Sequence, residues 1–314
     1  MSKVVIWAPD ARGAFELIAK AKELGLSPVV LHVGAGDAQS YIQHGAAKVL
    51  VAEDPKLKDM QGGPLTDAVA AAVKQEGANA VFLSGGRRGK EIAARLGAKL
   101  HAGVVTLAQK VKSEGGKLVF ERMFLGGKTV ATEIPQTDVA IATFPARLFE
   151  PLPANAGAKG EVAKLSGEIR ESKVKITGKK PRKDTGVNLE AATVVVGAGR
   201  GFKSKDDLKL AFDLAATMGG QVGCSRPLAT DLGWLSDEYW IGLSGKEVKP
   251  KVYVAAGISG QIQHTTGIRN SKLIVAINSN KDAPIFKMAD YGIVGDLYKV
   301  LPALNAAVKK QKGH

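Results

Sequence analysis

Short apolar runs alternate along the chain with stretches whose apolar residues recur every three to four positions. Lys3–Trp7 (KVVIW), Ser27–Val33 (SPVVLHV), Ala47–Val51 and Ala78–Leu83 (ANAVFL) are β-branched or continuously apolar and predict strands. Ala14–Leu24, Ala38–His44, the Ala-rich Thr66–Gln75 and the stretch after Arg88 (KEIAARLGAKL) have helical spacing. This rhythm predicts a mostly parallel sheet with helices on both faces. The runs around Gly103–Val111, Lys117–Phe124 and Val130–Ile134 are separated by the pairs Gly115-Gly116 and Gly126-Gly127, so antiparallel additions to the same sheet are expected.

The pattern dissolves between Pro151 and Gly186 into PLPANAGAKG and GKKPRKDTG, which predicts a basic Pro/Gly-rich linker over 151–186 between domains at 1–150 and 187–314. The rhythm then restarts. Ala192–Val196 (ATVVV) is a strand followed by GAGRGFKSKDD and a helix over Leu208–Met218. Val252–Ala256 (VYVAA) is a strand followed by GISGQIQHTTG. Lys272–Ile277 (KLIVAI) and Tyr291–Val294 are strands, and Asp296 opens a helix running to about Lys310.

Composition narrows the class. With 45% hydrophobic and 24% charged residues in 314, the chain is ordinary globular protein. Its single cysteine, Cys224, excludes an intramolecular disulfide framework and a cysteine-based metal site. No apolar run reaches the roughly 18 residues of a membrane span, and the N-terminus lacks a signal-peptide pattern, so a cytoplasmic protein without a transmembrane segment is expected. The net charge of +14 raises the question of nucleic acid. The cations are interspersed with acids except in Glu171–Gly186, and that stretch has no aromatic residue for base stacking. No nucleic acid is therefore expected; an anionic small ligand or an acidic protein partner accounts better for the charge.

The chemistry should lie where strands of a parallel sheet end and helix N-termini converge. Two loops fit. Gly197-Ala198-Gly199-Arg200-Gly201 leaves a strand and carries a cation. Gly257-Ile258-Ser259-Gly260-Gln261-Ile262-Gln263-His264 leaves another and brings Ser259, Gln263 and His264 together. Neither the P-loop nor the GxGxxG spacing is met, so a dinucleotide cradle would be of another type. Cys224-Ser225-Arg226 falls where a further strand should end; Arg226 can stack on a flat heterocycle or pair with an anion, though alone it reads as a surface arginine. Cys224 itself reads as a small buried residue. The five histidines have no metal-ligand spacing, and no nucleophile–His–acid set is specified, so neither a metal nor a catalytic residue is expected.

VVVGAGRGFKSKDDLKLAFDLA, VGCSRPLA, IGLSGKEV, KVYVAAGISGQIQH and IVAINSNKDAPIFKMADYGIVGDLYKVLPAL, in this order, resemble the alpha subunit of electron-transfer flavoprotein across Ala192–Leu304, in its FixB-like bacterial branch. The first 150 residues, with SGGRRGKEIAARLGAKL, resemble the family's more variable, nucleotide-hydrolase-like first domain. The resemblance implies an α/β fold whose C-terminal domain is flavodoxin/Rossmann-like and binds FAD. It further implies a heterodimer with a beta subunit, and an electron carrier rather than an enzyme. Electrons would pass from flavin dehydrogenases, such as those of fatty acid β-oxidation, to an acceptor such as a quinone oxidoreductase. Carried over by position, Arg200 and Ser225 would lie along the FAD with Arg226 over the isoalloxazine. Gly242, Leu243 and Ser244 would approach the ring, Ser244 near N5. Ser259, Gly260, Gln261, Ile262, Gln263 and His264 would run past the pyrophosphate and ribityl chain, His264 reaching the pyrimidine side. Asn278, Asp296 and Leu297 would hold the adenosine end. Arg226 and His264, if both lie near the ring, would stabilise an anionic flavin. Leu243 stands where many members have Gln. The alternative is an NAD-dependent α/β enzyme using the same cleft, for which only His264 is available as acid or base.

Overall fold

A computed structural model describes residues 2–178 and 186–313, which form two compact units, 1–179 and 180–314. The first unit contains β1 (Lys3–Trp7), α1 (Ala11–Glu23), β2 (Ser27–Val33), α2 (Ala38–Gln43), β3 (Lys48–Ala52), α3 (Gly62–Glu76), β4 (Ala80–Ser84) and α4 (Arg87–Leu100). It continues with β5 (Gly103–Val105), β6 (Ala108–Glu114), β7 (Lys117–Phe124), β8 (Thr129–Glu133), β9 (Ala140–Phe144) and β10 (Glu161–Lys164). Seven strands pair in the order β10-β3-β2-β1-β4-β9-β5, every pair parallel. The continuous apolar run of β1 follows from burial on both faces: Val5 and Trp7 enter one core cluster, Val4 and Ile6 the other.

Two expectations need correction here. The strands β6, β7 and β8 are antiparallel, but they form a separate three-stranded sheet. Gly115 and Gly116, at φ +55° and +78°, supply the tight turn between β6 and β7. Val111 and Phe120 then bury one face of this small sheet in the core, while the edge place beside β9 goes to the short β5. The stretch 151–178 belongs with the first unit and is no linker: β10 pairs with β3, and Ile169 is buried in the core. Arg170 forks onto the buried Asp67 of α3 through two hydrogen bonds of 2.9 Å. The four-residue edge strand, with mostly exposed side chains, carries no apolar alternation that could announce it. Residues 179–185, the remainder of the expected linker, lie outside the described residues.

The second unit contains β11 (Val194–Ala198), α5 (Lys209–Met218), β12 (Gln221–Cys224), β13 (Val252–Ala256), α6 (Ile262–Thr265), β14 (Ile274–Asn278), β15 (Tyr291–Val294) and α7 (Leu297–Lys312). Its five strands run parallel in the order β12-β11-β13-β14-β15. Helices α5 and α7 cover one face through Ala211, Leu214, Leu297 and Leu301; Ile258, Ile268 and Ile285 cover the other. Counted within the unit this is the order 2-1-3-4-5, the flavodoxin-like winding, whose switch point falls between β11 and β13. Among the described residues no helix is long and apolar enough to cross a membrane.

Candidate functional site

The two glycine loops leave β11 and β13 side by side at that switch point. They are joined through the backbone: Gly199 N–H donates to the Ala256 carbonyl at 2.9 Å, and Gly201 N–H to the Gly257 carbonyl at 3.0 Å. The spacing of Gly197-Ala198-Gly199-Arg200-Gly201 results from this packing. A Cβ on Gly199 would run into the Gly257 carbonyl, one on Gly201 would come within 2.7 Å of the Gly257 Cα, and one on Gly197 would run into the Tyr253 hydroxyl. The glycines thus let two loops and one tyrosine approach β11 closely, and the N–H groups of Gly199 and Gly201 are spent inside the protein.

The loops open onto a cavity of about 760 Å³. Every residue expected along the cofactor lines it except Gly242, Gly260 and Ile262. Those three shape the wall from behind. Gly260 turns at φ +86° against the Ile285 backbone, and Gly242 takes φ +147° against the Gln263 carbonyl. Ile262 opens the short α6. Lys203, Trp240, Ser279 and Tyr298 also line the cavity and carried no sequence signal of their own. Tyr298 is placed by the loop it touches: its hydroxyl accepts from Lys203 N–H and donates to Asp207, both at 2.7 Å. That donation is the main cause that lowers the Asp207 pKa.

Several side chains at the rim are occupied in building it. Asn278 donates to the Ile258 carbonyl at 2.9 Å and accepts from Asn280 N–H. Asp296 caps α7 by accepting from Tyr298 N–H at 2.9 Å. The Ser225 N–H donates to the Ala198 carbonyl, and the Leu243 N–H to the Gln263 carbonyl at 2.7 Å. Arg226 is exposed at the mouth, its guanidinium 5.7 Å from the centre of the Trp240 ring.

The lining is electropositive: Arg200, Lys203 and Arg226 face the cavity with Asp296 as the carboxylate. Among the described residues the N–H groups of Ser259, Gly260, Gln261, Ile262 and Gln263 donate to no protein acceptor. A run of free amides beside guanidinium groups suits a phosphate. His264 lines the cavity with both ring nitrogens engaged within the protein. It is buried, its Nδ1 lies 3.1 Å from the Ile241 carbonyl, and its Nε2 lies 2.9 Å from the Tyr253 hydroxyl. Burial lowers its pKa to about 4, so it is neutral at pH 7 and contributes no positive charge. Cys224 is buried beneath the site with its thiol pushed up to about 12 by burial, which leaves it an inert packing residue.

These features fit FAD. The cavity has the volume of a cofactor site, the free amides and cations match a pyrophosphate, and Trp240 and Leu243 offer apolar surface to a flat ring. Comparison with known proteins agrees. Residues 188–269 match the electron transfer flavoprotein FAD-binding domain, and residues 11–168 match the electron transfer flavoprotein domain. Protein FixB of Escherichia coli O127:H6 (strain E2348/69 / EPEC) is 36% identical over 310 residues, covering 98% of this chain and 99% of that protein. Protein FixB of Salmonella typhi is 35% identical over 296 residues, covering 94% of each chain. The chain therefore belongs to the electron-transfer flavoprotein family as a FixB-like alpha subunit, and its cofactor is FAD.

Proposed function

We propose that the cavity at the ends of β11, β13 and β14 holds the FAD, and that the protein passes electrons through it between partner proteins without converting a substrate of its own. The single observation that carries this reading is the run of free amides from Ser259 to Gln263 in a flavodoxin-like switch point lined by Arg200, Lys203 and Arg226. In this reading the amide run and Arg200 bind the pyrophosphate, and Arg226, held by the Trp240 ring, lies beside the isoalloxazine. Ser244, whose hydroxyl has no partner among the described residues, faces N5. Leu243 replaces a polar contact with apolar surface. Asp296, Leu297 and Asn278 frame the adenosine end, Asn278 chiefly by holding the loop it bonds.

Bound FAD supplies the redox chemistry; the chain binds it, orients it and sets the charge around it. Arg226 favours negative charge on the ring, whereas neutral His264 does not. Family alpha subunits normally pair with a beta subunit, and such a heterodimer, in the cytoplasm, is the assembly proposed here. Its electron donor would be a flavin dehydrogenase, and its acceptor an oxidoreductase. The test is to coexpress the chain with its beta subunit. A yellow complex holding one FAD is expected, with Arg200→Ala weakening FAD binding; a colourless complex that takes up no added FAD refutes the proposal.

A further inference from the structure

The loop after β11 is tied down within its own unit at both ends. At its start Gly201 N–H donates to the Gly257 carbonyl at 3.0 Å. Ahead of α5, Ser204 and Asp207 close a reciprocal cap: Ser204 N–H donates to Asp207 Oδ2 at 2.9 Å, and Asp207 N–H to Ser204 Oγ at 3.4 Å. Between these anchors lie Phe202, buried in the core, and Lys203, which lines the cavity.

The facing wall supplies a further tie. Tyr298 stands in the first turn of α7, directly after Asp296 and Leu297, and lines the cavity with both. Its hydroxyl has one hydrogen to give and lone pairs to accept with. The Asp207 carboxylate, its pKa lowered, only accepts, so the hydrogen goes to Asp207 at 2.7 Å and the oxygen is left to accept Lys203 N–H, also at 2.7 Å. The ring is gripped as well. The Lys203 ammonium lies 5.4 Å from its centre, and the Phe202 ring meets it edge-on with 6.4 Å between centroids.

We propose that Tyr298 is a positioning residue for the adenosine half of the cofactor: its hydroxyl pins the loop bearing Arg200 and Lys203 to the turn bearing Asp296 and Leu297, and so favours FAD over FMN. This rests on the reading of the cavity as the FAD site, in which those two walls frame the adenosine end. FMN lacks the adenosine half and leaves the space between the walls to solvent, whereas FAD needs both walls in place at once. The flavin end is held by different contacts, Leu243 N–H to the Gln263 carbonyl and Arg226 over Trp240, so loss of the pin is felt at one end of the cavity.

The test uses the full chain with its beta subunit, before and after removal of bound flavin. Tyr298→Phe keeps the ring that packs on Phe202 and Lys203 and removes the hydroxyl. Loss of a hydrogen bond to a charged carboxylate should raise the FAD dissociation constant by about tenfold in equilibrium dialysis, with that of FMN unchanged. Amide hydrogen exchange, followed residue by residue, should show Lys203 N–H protected in the starting complex and exchanging about tenfold faster in Tyr298→Phe. Gly199 N–H, bonded to the Ala256 carbonyl, should keep its rate. A freely exchanging Lys203 amide in the starting complex overturns the proposal and is read without any variant. So does an FAD affinity that Tyr298→Phe leaves unchanged, or one that falls together with the FMN affinity, as a general loosening of the fold would cause. A complex that takes up neither flavin refutes the cofactor reading itself; one that binds FAD but fails any of these comparisons refutes this proposal alone.

Discussion

Arg226 and His264 look alike as sequence candidates, yet burial separates them. Arg226 is exposed at the cavity mouth over Trp240, while burial lowers the pKa of His264, whose two ring nitrogens are spent on Tyr253 and Ile241. Arg226→Ala is accordingly expected to lower the potential of bound FAD in a spectroelectrochemical titration. A charge-assisted hydrogen bond contributes ~1.5 kcal/mol at the low end, on the order of 65 mV for one electron, and solvent screening of this exposed group reduces that. His264→Ala, in contrast, should disturb loop packing more than it alters local charge. Gly260→Ala would force a side chain at φ +86° against the Ile285 backbone, costing about 1–3 kcal/mol in denaturant unfolding and weakening FAD retention in equilibrium dialysis. The glycines of GAGRG and GISG were legible as a ligand-side feature. Their individual reasons were not, because each depends on a partner distant in sequence: Tyr253 for Gly197, Gly257 for Gly199 and Gly201, Ile285 for Gly260.

Elements buried on both faces announce themselves. β1, β4, β11 and β13 read as continuous apolar runs because helices or loops cover both sides of a parallel sheet. β10 does not, since a short edge strand is held by backbone pairing and by the segment C-terminal to it, together with the grip of Arg170 and Lys99 on Asp67. Those cations hold the Asp67 carboxyl well below the usual carboxylate range, Arg170 foremost. Because its folded pKa is depressed, the stability it contributes is complete above the unfolded value near 4 and fades as pH falls below it. Asp67→Asn should lower the melting temperature at pH 7 and flatten the acid limb of a melting-temperature profile below about pH 4; an unchanged limb would place the acid sensitivity elsewhere. Deleting 151–178 as though it were a linker is expected to destabilise the first unit by exposing the core around Ile169 and unpairing β3, read as a lower unfolding midpoint.

At the scale of the whole chain, three of its cations, Arg200, Lys203 and Arg226, line a cavity sized for a dinucleotide, and the FixB relatives match over nearly its full length. Added NAD should neither bind the coexpressed complex nor displace its FAD, as followed by the flavin absorbance. By itself the sequence determined the α/β class, the strands and helices that bury apolar faces, and the cofactor family, because periodicity and contiguous loop motifs are local properties of the chain. Only the tertiary structure decided the winding order, the fate of 151–178, the separate antiparallel sheet and the neutrality of His264. Each of these turns on which residues meet across long separations, and on how far burial raises the cost of charge once they have met.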